Sequence, residues 1–586
     1  MQASGGRAER VAGTLALRVA GVLLAATAVV VLVAPRDPNV VFSRPFVLAG
    51  FVGAGLVAAL TVLVGSRLRP HPARVGWSWA LAVAIAVGGA VVATSAARRV
   101  AYVVGWDAGV VSGFSETLHA GGRLTPYAVD YLSRYPNNIP LLALMNATRA
   151  VADRTGSTMA EVFVTLNGLC VAVVLLSTYA LVRMVRSHRA AVCAQLVLLL
   201  LLGASPWLAV PYTDVVLMPF LTVGLLLAVA ALRARRPAAM ALLGLGSVAV
   251  LTLGFTVKAT LAPTLVAVAV VALLVVLGRA GVRSLALGVA FALAAGLVYL
   301  GAGTLARSTA ERVSGVDAAQ LAPGRAPPLQ WWIAMGLSKT PRGDGYFYGS
   351  YDGTMVRDSR YLGGAQLQAY SEQALRDRVD ALGTAGLARF AVDKQAFNWG
   401  DGMFFAWGEG ADATPSLLLR NDPTSRWVQS WNHVLGSAYL TRASLTTGVW
   451  LFVLAWAGVG LLGAGYRREV LLLALSVALL MGFTLLLQSR SRYLLAYLPV
   501  VVALAAVVDV RAVARLRRGP RTPHRIGAAE QSGHSPSIST VWRTWVKPCA
   551  AATASAQRST ASPVTSTARP HDRHTTWWWW SVEQER

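Results

Sequence analysis

The sequence predicts an all-α polytopic membrane protein with about twelve transmembrane helices. It also predicts a small mixed domain outside the cytoplasm and a disordered cytoplasmic tail. Three observations point there. Hydrophobic residues make up 55% of the 586-residue chain and charged residues only 14%. Apolar runs of about twenty residues recur, each long enough to cross a hydrocarbon core of roughly 30 Å. Basic residues gather in alternate short loops between those runs, the pattern of positive charge kept on the cytoplasmic side.

The runs fall at 13–34, 45–66, 76–96, 159–182, 190–209, 213–232, 238–257, 259–278, 284–305, 445–464, 470–488 and 493–510. The first is too long for the apolar part of a signal peptide, and no small-residue cleavage site follows it. The net charge of +26 raises nucleic acid as a partner, but its distribution argues against one. Arginines cluster in alternate short loops at 67, 69 and 74, at 183, 186 and 189, at 233, 235 and 236, at 279 and 283, at 467 and 468, and at 511, 515, 517 and 518. Simple alternation puts all these groups on one side, and with them both termini in the cytoplasm. The long segment 306–444 falls on the other side, and its 14 basic and 13 acidic residues nearly cancel. All but four of the 53 basic residues are arginine, the lysines being Lys258, Lys339, Lys394 and Lys547. That bias reads as GC-rich coding, and the expected location is a bacterial plasma membrane.

The domain reading follows. Residues 1–74 form an N-terminal helix pair. A transmembrane module spans 75–305, with a first long outer loop at 97–158. An outer domain occupies 306–444, three helices fill 445–510, and a basic tail runs over 511–586. In the first loop, residues 139–152 read as a short helix lying in the interface. Thr158 and Glu161 have capping-box spacing and start the next span. In the outer domain, residues 365–381 read as an amphipathic helix. Trp331, Trp332, Trp399, Trp407, Trp427 and Trp431 suit interface anchoring and a small core, with stacking on sugars as the alternative. Cys170 and Cys193 sit in predicted helices and Cys549 in the tail, with no pattern of a disulfide framework. The tail is rich in Ser, Thr, Ala and Pro and lacks apolar periodicity. Its four tryptophans at 577–580 have no physical account, and His571, Asp572 and His574 lack a fold to hold a metal.

No phosphate-binding loop of Walker type and no dinucleotide fingerprint is present. Charged residues at membrane depth are costly and more often face a site than lipid. Asp107, Glu116, Asp214, Lys258, Arg490 and Arg492 all fall at the outer side, where one cavity would collect them.

Several local sequences then bring a family into view. Trp106-Asp107 opens the first outer loop, and Tyr135-Pro136-Asn137-Asn138 precedes its interfacial helix. Pro211-Tyr212-Thr213-Asp214 begins one span, and Lys258 opens another as Lys-Ala-Thr-Leu-Ala-Pro. Arg490-Ser-Arg492-Tyr493 precedes the last helix, with its Tyr497-Leu498-Pro499. Together with the pieces at 327–337 and 343–352, their order and sidedness resemble the GT-C glycosyltransferases over about 75–510. Those multispanning enzymes use polyprenyl-phosphate sugars, as in protein mannosyltransferases, the aminoarabinose transferase of lipid A and actinobacterial mannosyltransferases. The resemblance implies an inverting membrane glycosyltransferase of the mannose or arabinose type. Its donor would be a polyprenyl-phosphate sugar, and its acceptor a cell-envelope glycan, lipid or protein. Asp107 is then the general base. Arg490, Arg492 and Lys258 meet the donor phosphate. Glu116, Asp214, Tyr135, Asn137 and Asn138 stand on the substrate or metal side. Many members carry two adjacent acids in the first loop where this chain has the single Asp of Trp-Asp-Ala-Gly, so a divalent metal ion stays open. The competing expectations are a transporter or flippase of a lipid-linked saccharide, and a non-catalytic envelope-assembly protein.

Overall fold

The computed structural model describes residues 6–36, 42–67, 75–100, 106–278, 282–342, 345–406, 422–433 and 436–508. The tail, with its tryptophan run and His571 and His574, lies outside them, as does Trp407. The protein is an all-α polytopic membrane protein. Among the described residues, ten helices are long and apolar enough to cross a bilayer, and two shorter apolar helices accompany them.

The chain opens with α1 (Arg7–Val33), α2 (Arg44–Arg67) and α3 (Val75–Ala97). The first loop folds into α4 (Trp106–His119), α5 (Pro126–Arg134) and, after a 3-10 turn at Pro136–Asn138, α6 (Ile139–Thr155). Spans then follow as α7 (Met159–Val185), the shorter α8 (His188–Leu202), α9 (Thr213–Arg233), α10 (Pro237–Val257), α11 (Ala262–Leu277) and α12 (Val282–Ser314). The segment 306–444 contains α13 (Leu329–Gly336), strands β1 (Lys339–Arg342) and β2 (Gly345–Tyr348), α14 (Gly353–Asp358), α15 (Gly364–Trp399) and α16 (Pro423–Asn432). The chain returns through α17 (Tyr439–Leu462) and α18 (Arg468–Leu486). It ends in a broken element, α19 (Arg492–Leu495) and α20 (Leu498–Val507), with Pro499 in the first turn of α20. The expected spans at 190–209 and 493–510 are thus shorter helices flanked by turns.

Small residues set the closest helix contacts. Lipid tails are as apolar as leucine, so spans associate through close packing and a few polar contacts. α17 lies against both α1 and α2. A Cβ on Gly458 would sit 2.6 Å from the Ala25 backbone N, and one on Gly448 would sit 2.1 Å from the Val47 carbonyl O. Opposite them, Gly21 meets the Gly458 carbonyl and Gly50 meets the Leu445 carbonyl just as closely. Hydroxyls add polar links: Ser177 Oγ donates to Thr222 Oγ1 at 2.7 Å, and Ser247 Oγ to the Gly224 carbonyl at 2.8 Å. Gly448→Ala and Gly458→Ala are each expected to destabilise by about 1–3 kcal/mol, as overpacked contacts do. Gly482→Ala, where a Cβ meets nothing within 4 Å, should be neutral or slightly stabilising. Thermal unfolding in detergent checks this; equal behaviour of the three variants would contradict it.

The capping box forms as read: Glu161 N donates to Thr158 Oγ1 at 3.2 Å, and Thr158 N to Glu161 Oε2 at 3.0 Å. The amphipathic helix expected at 365–381 extends to Trp399, through a kink at Gly383 where φ is 59°. Its second half turns inward, and Phe390, Phe397 and Trp399 join the main core. The segment 306–444 has a small core of its own around Trp331, Met335, Met355 and Leu367. The β1–β2 hairpin pairs Thr340 with Phe347 in antiparallel register.

Candidate functional site

Local signals place the acidic half of the site. α5 starts with Thr125, whose Oγ1 accepts from Ala128 N at 3.2 Å, and with Pro126 in its first turn. That start turns Tyr131 toward α4. Tyr131 donates its hydroxyl to Asp107 Oδ1 at 2.6 Å, and Asn138 Nδ2 donates to the same hydroxyl at 2.8 Å. Tyr212, just before α9, donates its hydroxyl to Asp107 Oδ2 at 3.3 Å. Burial, and then the charge of Asp107, raise the Tyr131 pKa far above its usual value, so this phenol stays a neutral donor. Burial, opposed by Arg134 and assisted by Tyr351 and Asp107, pushes Tyr135 up to about 12.

The basic half shares Tyr212. Lys258 follows α10 in extended backbone and pairs with Asp214, which is buried in the first turn of α9. A carboxylate there also meets the positive end of the helix dipole. Arg492 Nε lies 3.8 Å from Asp214 Oδ2. Both cations lie over aromatic faces. Lys258 Nζ is 5.2 Å from the Tyr212 ring centroid and 5.0 Å from that of Tyr493. The Arg492 guanidinium is 4.7 Å from the Tyr212 ring. One tyrosine therefore touches the Asp107 carboxylate with its hydroxyl and two cations with its ring.

Arg490 enters from the other side. Its guanidinium lies 3.7 Å from the Trp106 ring centroid and 5.1 Å from that of Phe405, and its Nε donates to Ser350 Oγ at 3.1 Å. Trp106 and Phe405 have φ of 62° and 63°; among the described residues, only Phe404 joins them as a non-glycine residue with positive φ. Aromatic residues rarely adopt this region, and such strain persists only where surroundings enforce it, often at functional sites. Asp401 helps enforce it, accepting from Met403 N at 2.8 Å and Phe405 N at 2.6 Å. Sequence reasoning had no signal for this clamp around Arg490.

The structure gathers Asp107, Asp214, Lys258, Arg490 and Arg492, with Asn138 and Tyr135 beside them. Two expected members stand apart. Glu116 lies nine residues along α4 from Asp107, about 13 Å at the helical rise. It is exposed and faces Arg149 Nη2 at 3.5 Å. Asn137 is exposed and donates to Asn138 Oδ1 at 3.4 Å. Tyr131, central to the cluster, was missed: one tyrosine in a loop holding several aromatics gives no pattern to read. Asp214 is the counter-charge of Lys258 and Arg492. Among the described residues no three His, Cys, Asp or Glu side chains group as metal ligands. Cavities of about 210 Å³ and 620 Å³ lie on the same face, and neither is lined by Asp107.

Asp214→Asn should leave the buried Arg492 and the partly buried Lys258 short of a counter-charge and destabilise the protein by about 3–5 kcal/mol. Adding Lys258→Met should recover much of that loss. Unfolding midpoints of the two single variants and the double variant test the coupling; simple additivity would refute it.

A sequence model of the family described as conserved hypothetical integral membrane protein matches residues 48–513. The chain belongs to that family. The match begins within α2 and ends beyond α20, so α1 precedes it. No curated protein and no solved structure matches.

Proposed function

We propose that this member of an integral membrane family is a glycosyltransferase. In this reading it moves a sugar of the mannose or arabinose type from a polyprenyl-phosphate donor to a cell-envelope glycan, lipid or protein acceptor. The work is done on the outer face of a bacterial plasma membrane, with both termini in the cytoplasm. The supporting observation is the junction at Tyr212, where a carboxylate with spare acceptor capacity meets a cluster of cations. The sidedness rests on the basic loops opposite the site, by the positive-inside rule.

An ionised carboxylate offers about four acceptor positions. Tyrosine hydroxyls occupy one position on each oxygen of Asp107. A position remains for the acceptor's hydroxyl, whose proton passes to Asp107 as its oxygen attacks the anomeric carbon. The new carbon–oxygen bond forms as the bond from that carbon to the phosphate oxygen breaks. The lipid phosphate leaves with the electron pair and gains charge. Arg490 and Arg492 suit that phosphate because guanidinium forks match phosphate oxygens, and Lys258 adds a point charge. A single displacement inverts the anomeric centre. Asp214 tempers the cations, so the cluster accepts a phosphate and can release it.

The test is sugar transfer from synthetic polyprenyl-phosphate mannose and arabinose in membranes holding the wild-type chain or Asp107→Ala. Transfer by the wild type alone supports the proposal. Transfer that persists in the variant overturns the assignment of Asp107. No transfer from either donor across a range of acceptor glycans overturns the activity and makes a flipping assay the next measurement.

A further inference from the structure

We infer a binding site for an anionic bilayer phospholipid in the groove between α3, α16 and the start of α17. This inference is independent of the proposed activity. The groove encloses about 620 Å³. It lies where α3 ends and α17 begins, at the membrane face that holds the Asp107 cluster. Its lower wall is Val91 and Val92, which are 63% and 57% exposed and face the hydrocarbon. Its upper wall is built of Arg99, Trp427, Trp431 and Arg442.

The charge is one-sided. Two arginines line the groove and no carboxylate does. Arg442 is held in place, donating Nη2 to the Ala204 carbonyl at 2.7 Å and Nη1 to Asn432 Oδ1. Arg99 donates Nη1 to the Ser95 carbonyl at 2.8 Å, while its Nε is buried with no acceptor among the described residues. No carboxylate pairs with Arg99 among those residues. A donor left unsatisfied beside a second guanidinium, above an apolar wall, is complementary to a phosphodiester with acyl chains below it. The two indoles stand one helical turn apart on α16, with ring centroids 6.4 Å apart, and Trp427 is 64% exposed. Indoles at this depth suit the headgroup layer, polar on one edge and apolar on the face. The groove opens toward the bilayer along α3, so the lipid always present at high local concentration is the occupant the geometry favours.

The experiment is native mass spectrometry of the purified full chain titrated with phosphatidylglycerol or phosphatidylcholine. Wild type should retain phosphatidylglycerol preferentially. Arg99→Gln should weaken that retention about tenfold, the cost of one charge-assisted contact. Trp427→Ala, at an exposed position, should also weaken it without disturbing the fold. Arg98→Gln is the control: Arg98 is exposed and donates to Thr165 Oγ1 at 3.0 Å. Equal retention of the two lipids by wild type, or unchanged retention by Arg99→Gln, overturns the site. Displacement of phosphatidylglycerol by an equal or lower concentration of polyprenyl phosphate overturns its assignment to a bilayer phospholipid.

Discussion

Asp107→Asn is expected to slow sugar transfer by about a hundred- to ten-thousandfold, the usual contribution of a positioned general base. The substitution preserves shape. An asparagine oxygen still accepts the Tyr131 hydroxyl that now reaches Oδ1 at 2.6 Å, so the link from α4 to α5 survives. What disappears is the ability to take a proton. Tyr131→Phe separates the two effects. It keeps the carboxylate but removes the hydroxyl that holds it, and leaves Asn138 Nδ2 without that acceptor. The expected loss is about tenfold, from one charge-assisted hydrogen bond. It should fall on kcat, because the contact orients the base and does not bind the donor. Initial rates with saturating polyprenyl-phosphate donor, on variants matched for unfolding midpoint, distinguish the cases. Near-normal turnover by Asp107→Asn would remove this residue from the chemistry. A deficit in Tyr131→Phe as deep as that in Asp107→Asn would place the phenol, not the carboxylate, at the reacting atoms.

The membrane architecture was readable because one physical constraint dominates it. A span must be apolar for about twenty residues, and nothing in the tertiary structure relaxes that length. Ten runs accordingly appear as long helices, while those at 190–209 and 493–510 are shortened by turns next to Pro206 and Pro499. The segment 306–444 obeys no such constraint. The second half of α15 mixes buried Lys394 and Asn398 with apolar residues, so its burial pattern is not amphipathic and could not be read. The site divides in the same way. Lys258, Asp214, Arg490 and Arg492 stood out because charge at a membrane edge is costly. Their pairing did not: Asp214 lies 44 residues from Lys258 in sequence, and the contact exists only through the fold. Glu116 shared the residue type and the loop, yet the rise of α4 carries it away from Asp107. The clamp of Trp106 and Phe405 on Arg490 depends on two strained backbone conformations, which no residue type announces.

Lys394→Met is expected to destabilise the protein by about 2–4 kcal/mol, because it removes the donor on which three carbonyls converge. Lys394 is fully buried, and its Nζ donates to the carbonyls of Gly336 at 2.7 Å, Leu485 at 2.8 Å and Leu487 at 2.8 Å. These carbonyls belong to the ends of α13 and α18, where helices leave acceptors unpaired and carry negative partial charge. One lysine amine reaches both ends. The turn that follows α18 is held by the same segment 306–444: Gln488 N donates to the Trp332 carbonyl at 3.0 Å, Ser489 N to the Gly349 carbonyl at 2.8 Å, and Asn398 Nδ2 to Ser489 Oγ at 2.9 Å. That turn presents Arg490 and Arg492. Gly349, with φ of 63°, leaves room for the lysine; a Cβ there would lie 2.2 Å from Lys394 Cε. Burial lowers the Lys394 pKa from its ordinary 10.5 to about 7. Between those values the unfolded chain holds a proton that the folded chain has released, so this group makes stability rise with pH through the window and leaves it flat below. Subtracting the unfolding midpoints of Lys394→Met from those of wild type between pH 6 and pH 10, on the order of this titration window, isolates the contribution. A rising difference supports a buried lysine that sheds its charge in the folded chain, and a difference that is constant or falls with pH rejects it. If Lys394 also positions the cations, Lys394→Met should raise KM for the polyprenyl-phosphate donor more than it lowers kcat, since in the proposed mechanism Arg490 and Arg492 meet the phosphate and Asp107 stands on a different loop.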